Sequence, residues 1–128
     1  MKVLLDTHAF LWWINDDPQL SHMARQTIAN GGNTLFFSTA SGWEIVIKTK
    51  LGKLRLPDDM ASFLFEQLSA NAINTLPVQM NHALRVYSLP DFHRDPFDRL
   101  LIAQAQVESL PIITADRQFA GYQVEIIW

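Results

Sequence analysis

Lys2-Val3-Leu4-Leu5-Asp6 opens the chain with a short apolar run that stops on an acid. The run is too short for a helix, and its unbroken Val-Leu-Leu core suits a strand buried on both faces. Such strands belong to parallel sheets covered by helices. Near the other end, Pro111-Ile112-Ile113-Thr114 repeats the pattern, and Asp116 follows two residues later. Ligands of open parallel sheets bind in the crevice beyond the carboxyl ends of the strands. If these two strands are neighbours, Asp6 and Asp116 project into one crevice.

The intervening sequence alternates in the same way. A helix rich in aromatics (Phe10, Trp12, Trp13) follows Asp6 and is broken at Asp16-Asp17-Pro18. Ser21 caps a second helix that runs to Asn30-Gly31-Gly32-Asn33. Leu35-Phe36-Phe37 is the next strand, and Ser38 to Lys50 the next helix, ended by Leu51-Gly52. Pro57-Asp58-Asp59 opens a helix through Phe63, Leu64 and Leu68 to about Asn71, and a short strand covers Ile73 to Leu76. A helix from about Gln79 to Leu89 precedes Pro90. Asp95-Pro96 starts a strongly apolar helix, and Val124-Glu125-Ile126-Ile127 forms a last strand. Short strands alternating with helices predict an α/β fold, a single domain over residues 1–128 with a central short parallel sheet flanked by helices.

A chain of 128 residues buries roughly two-thirds of its unfolded surface and folds without staples. With no cysteine, thiolate nucleophiles and cysteine-ligated zinc are excluded. The first apolar run is too short for a signal peptide, and no stretch of some 18 apolar residues spans a membrane, so a cytoplasmic protein is expected. The net charge of −3 excludes a protein that grips nucleic acid by a basic surface alone; phosphate contacts must be local or carried by cations. Charged residues make up 18% of the chain, below the ~25% usual for soluble domains. So few charges point to apolar patches that a partner or second subunit covers.

Two further acids fall at the same sheet edge. Glu44 and Asp98 are each expected in the first turn of a helix that follows a strand, and such helix N-termini face the crevice. Each acid also has an ordinary reading. Ser41-Gly42-Trp43-Glu44 fits a capping box. Asp95-Pro96 fits an N-cap followed by proline at the first helical position, with Asp98 in the third, where the helix dipole favours an acid. Asp6 and Asp116 can begin turns. The combination is more specific than any member, because four carboxylates in one pocket repel one another unless a cation neutralises them. Oxygen ligands suit Mg²⁺ or Mn²⁺ rather than zinc.

Leu4-Leu5-Asp6-Thr7-His8, Ser41-Gly42-Trp43-Glu44-Ile45, the stretch from His93 to Ala105 around Asp95-Pro96-Phe97-Asp98, and Ile113-Thr114-Ala115-Asp116 resemble the motifs of PIN-domain nucleases. The likeness extends over essentially the whole chain and is greatest to the VapC-type toxins of toxin–antitoxin pairs. It implies a Mg²⁺- or Mn²⁺-dependent endoribonuclease that cuts RNA, is inhibited by a cognate antitoxin protein and forms a homodimer. Position by position, Asp6, Glu44, Asp98 and Asp116 match the family's metal-holding acids, with Asp6 and Asp98 expected in closest contact with the ion. Thr114 matches a Thr or Ser beside the metal site, and Asp95 matches an acid of this subgroup. Thr7 joins these two as an outer residue of the site. The resemblance makes the metal the activator of the attacking water, so no side-chain nucleophile is required.

Around the acids, Lys48, Lys50, Lys53 and Arg55 form the one basic cluster, either a solvated face or an edge that contacts phosphate. Arg94 and Arg99 can pair with Asp95 or Asp98 or reach substrate; Arg99 joins Lys48, Lys50 and Lys53 as a substrate-binding candidate. His8 is expected to pack or cap. His22, His82 and His93 lack metal-ligand spacing to one another and are expected to be structural or solvated. Trp12, Trp13 and Trp43 are assigned to the core ahead of base stacking or an antitoxin groove. A dehalogenase-type phosphotransferase needs a second Asp where His8 stands, a receiver domain needs paired acids, and both glycine-rich phosphate loops are missing. The remaining alternative is a catalytically silent PIN-fold module that binds RNA or protein, which has no need of all four acids.

Overall fold

The computed structural model describes residues 1–128. Its five strands are β1 (Lys2–Leu5), β2 (Thr34–Ser38), β3 (Ile73–Leu76), β4 (Ile112–Ile113) and β5 (Ile126–Ile127). All pair in parallel, in the order β3-β2-β1-β4-β5. The first strand is therefore central, and the chain leaves it on one side for β2 and β3, then returns to the other side for β4 and β5. That reversal makes a crevice at the carboxyl end of β1. The neighbouring strands required by the sequence reading are present: Leu4 and Leu5 of β1 pair with Ile112 and Ile113 of β4.

Strand alternation divides the core into two layers. Val3, Leu5, Ile113 and Ile127 face one way, onto Phe10 and Leu11 of α1 (Thr7–Ile14), Ala24 and Ile28 of α2 (His22–Ala29) and Ile45 of α3 (Thr39–Lys50). Leu64 and Leu68 of α4 (Met60–Ala70) pack against the edge of this layer. Leu4 and Ile112 face the other way, onto Leu101, Ile102 and Ala105 of α6 (Pro96–Glu108). The short α5 (Met80–Arg85) continues as a 3-10 turn over Val86–Ser88, where the sequence suggested one helix to about Leu89. Phe65 and Tyr87 are exposed, in line with the apolar surface expected from the low charge content, and Trp43, expected in the core, is exposed as well, its ring edge-on to Phe97.

Helix starts decide where functional side chains point. Ser21 caps α2 by accepting the Ala24 N–H, as expected. For α3 the expectation fails: Ser38, at the end of β2, is the N-cap, its Oγ accepting the Ala40 N–H at 3.0 Å. Glu44 therefore lies in the second turn, and no capping box forms at Ser41, whose hydroxyl is buried without a partner. At α6 the reading holds: Asp95 accepts the N–H groups of Phe97 and Asp98, Pro96 is first, and Asp98 lies in the first turn.

Candidate active site

Asp6 leaves β1 as the N-cap of α1, its Oδ1 accepting the Ala9 N–H at 2.7 Å. Only 6% of the residue is exposed. Burial pushes its carboxyl above the ordinary range, as does the charge of Asp116; hydrogen bonds from Thr114 and Ala9 and the charge of His8 oppose the rise. The Thr114 hydroxyl also accepts the Asp116 N–H at 3.0 Å, so this buried residue ties the ends of β1 and β4 together.

Glu44 reaches the crevice from α3, and both of its oxygens are taken. The Thr7 hydroxyl donates to Oε1 at 2.6 Å, and Lys48 Nζ lies 2.8 Å from Oε2, one helical turn along. Lys48 is held in its charged form mainly by that hydrogen bond, with the charges of Asp95 and Asp98 adding to it. Of the expected basic edge, Lys48 thus belongs to the acid cluster itself, whereas Lys50 and Lys53 are exposed.

Asp98 is strongly perturbed. Burial first, then the charges of Asp95, Glu44 and Asp6, raise it to about 7, against the pull of His93. Asp116, half exposed, accepts the Gln118 N–H on Oδ1. The acids expected from the sequence therefore gather at one sheet edge in two groups. Asp98 and Asp116 come together, while Asp6 and Glu44 act on Asp98 through their charge.

The residue that joins the first group was not expected there. His93 Nε2 lies 2.8 Å from Asp116 Oδ2 and 3.0 Å from Asp98 Oδ2. Its Nδ1 accepts the Asp95 N–H at 3.1 Å. With Nδ1 accepting, the hydrogen-bond network assigns the ring proton to Nε2, which makes the ring a donor to both carboxylates. The structural expectation for His93 is corrected to a place inside the site. Its spacing to the acids, two residues before Asp95 and five before Asp98, is the signal that a search for histidine pairs passes over. His82, by contrast, is buried against Glu108 as a structural residue.

Arg99 is a second correction. Its guanidinium donates to the carbonyls of Pro90, His93, Val86 and Leu89, fastening the loop that carries His93 rather than facing a substrate. That same loop is held by Tyr122, whose hydroxyl accepts the His93 N–H at 2.7 Å and donates to Pro90 O.

As a donor set, these carboxylate oxygens fit a hard divalent cation. Asp6 is buried and Asp98 half-buried, each raised by burial and by a neighbouring acid, and Lys48, the cation beside them, is engaged by Glu44. The excess of negative charge calls for a further cation. His93 does not complete a nitrogen-ligated site, because its Nε2 proton points at the acids.

No helix is long and apolar enough to cross a membrane. The pattern of the PIN domain matches residues 3–124. Ribonuclease VapC22 of Mycobacterium tuberculosis is 29% identical over 122 residues, 94% of this chain and 92% of that protein. Among solved structures, VapBC2 from Rickettsia felis, bound to a DNA fragment from its promoter, superposes with a TM-score of 0.72 at 17% identity, covering 98% of this chain and 97% of its counterpart. The toxin–antitoxin system VapBC-5 from Mycobacterium tuberculosis gives 0.61 at 21% identity, covering 98% and 97%. A pattern that runs from β1 through the fourth acid, on a fold shared along nearly its whole length, settles the family: this chain belongs to the PIN domain family.

Proposed function

We propose that this chain is a metal-dependent endoribonuclease, the toxin of a toxin–antitoxin pair, with Asp6, Glu44, Asp98 and Asp116 forming its active site around Mg²⁺ or Mn²⁺. The observation that carries the reading is the unbalanced charge at the crevice, where Asp98 is raised to about 7 by burial and by three neighbouring carboxylates. A binding module gains nothing from holding such groups together against repulsion. RNA as the substrate is supported by the ribonuclease relative, and a protein antitoxin as partner by the toxin–antitoxin complexes that share the fold. A homodimer is supported by the exposed apolar side chains, Tyr87 and Phe65 among them.

A divalent cation bound among these oxygens supplies an acidified water and offsets charge on the phosphodiester. The chain's own contribution is placement. Asp6 is fixed by the start of α1, and Glu44 is gripped by Thr7 and Lys48. His93 clamps Asp98 and Asp116 against each other. Lys48 sets a cation beside the acids, where a phosphate must approach a negatively charged pocket.

The test incubates purified, partner-free protein with total cellular RNA in Mg²⁺ or Mn²⁺, alongside EDTA and Asp98→Asn controls. Discrete fragments are expected only with metal and the intact acid. Uncut RNA from folded protein under every metal condition would leave the silent binding module as the better reading.

A further inference from the structure

Beside the acids, one face of α1 opens onto a hollow of about 400 Å³. His8, Trp12 and Asn15 from α1 and its C-cap line it, together with Lys48 and Lys53. Leu11 and Leu54 complete its apolar part. We infer that this hollow is a stacking site for one nucleotide of single-stranded RNA, adjacent to the nucleotide at the scissile phosphate. The inference rests on the ribonuclease reading above and adds to it where the RNA lies.

Continuity with the acids is direct. Lys48 borders the hollow and also contacts Glu44 at 2.8 Å. His8 follows Thr7, whose hydroxyl holds the other Glu44 oxygen. A strand with its phosphate at the acids therefore has its neighbouring residue within reach of the hollow.

The lining supplies what a nucleotide needs. Trp12 is half-buried, with the exposed His8 ring at 5.6 Å, tilted by 33°, and the Trp128 ring at 5.8 Å. Such an aromatic pair is a stacking platform indifferent to base identity. Lys53 places an exposed cation next to it, and Lys48, paired with Glu44, links it to the acids, so on a chain of net charge −3 this is a place where a phosphate is met by a positive charge. Asp17 also lines the hollow, its carboxylate engaged by the Gln19 main-chain and side-chain N–H groups. The volume lies within the roughly 300–1,000 Å³ range of small-ligand sites. A partner helix requires a longer apolar face than Leu11 and Leu54 provide.

The experiment measures binding of short single-stranded RNAs to Asp98→Asn protein, which holds the acids' positions without cutting. Each RNA carries one abasic residue, moved along the strand. Trp12→Ala is expected to weaken binding about tenfold, and an abasic residue at one position next to the cut is expected to abolish that difference. Because Trp12 also packs against the core, the exposed His8→Ala serves as a second test of the stack. Lys53→Ala is expected to lower the slope of log affinity against log salt by about 0.7. If all three variants bind every RNA as the parent does, while the unmutated protein still cuts RNA, the hollow is not an RNA site and the ribonuclease reading survives. If folded Asp98→Asn protein binds no RNA and the unmutated protein cuts none, both readings fall.

Discussion

The side chains that decide this site act in pairs. Thr7 donates to a glutamate that is 4% exposed. Replacing Thr7 by Val keeps the shape and removes the donor, leaving a buried carboxylate oxygen unsatisfied; the expected loss is about 1–3 kcal/mol, measured by urea unfolding of the metal-free protein. His93 holds two acids through one N–H, so His93→Ala should free both carboxylates and lower Mn²⁺ affinity by roughly 10–100-fold. A Mn²⁺ titration of Asp98-intact protein measures it, and ¹⁵N spectra of the imidazole should show the proton on Nε2 in the unmutated protein. A proton found on Nδ1 would sink the clamp. Asp6, Glu44, Asp98 and Asp116 were legible as a set because strand ends and helix starts mark one edge of a parallel sheet. His93 was not, since its loop is placed by Arg99 and by Tyr122, 29 residues away along the chain.

At the scale of elements, helix starts carry both stability and electrostatics. Asp95 caps α6 and, after burial, is the largest cause of the raised Asp98 carboxyl. The two roles separate by substitution. Asp95→Ala removes cap and charge together and should cost about 1 kcal/mol of stability by thermal or urea unfolding. Asp95→Asn keeps an N-capping oxygen and removes only the charge. The Asn variant should therefore stay near parental stability, while Asp98 titrates lower than about 7 when followed by carboxyl ¹³C shifts. An unchanged Asp98 in the Asn variant would mean that burial and the other acids set it without Asp95. The start of α6 was readable because Asp95-Pro96 offers a single choice of cap. The start of α3 was not: Ser38 and Ser41 both suit an N-cap, and the choice depends on where β2 stops pairing with β3, at the Ser38–Leu76 register. Glu44 still arrives at the crevice because the helix begins there and the residue points inward from its second turn.

Across the whole molecule, the fold brings together charges that the unfolded chain keeps apart, and stability should report it. The alternation of elements was visible in the sequence, but the order β3-β2-β1-β4-β5 was not, because β4 and β5 are two residues each and carry no partner signal of their own. That order is what places Asp116 beside Asp6. In metal-free protein, Asp98 rises from 3.8 to about 7 on folding, and Asp6 moves the same way. Both groups hold protons more tightly folded than unfolded, so their contribution to stability is fully present below about pH 3.8. The part due to Asp98 is lost as pH rises through about 7. Thermal melts in EDTA should accordingly give a lower Tm at pH 8 than at pH 5.5. A divalent cation competes with those protons and binds the ionised acids, so its stabilisation should grow over the same interval, as RT ln(1 + [metal]/Kd) with Kd falling as pH rises. Melts with Mn²⁺ in excess should therefore narrow or invert the pH difference seen in EDTA. In Asp98→Asn protein the EDTA difference should shrink and the metal response weaken together, because one carboxylate lies behind both. Were the EDTA melts flat across this range while Mn²⁺ still stabilised the protein, the cation would be held elsewhere than among these acids.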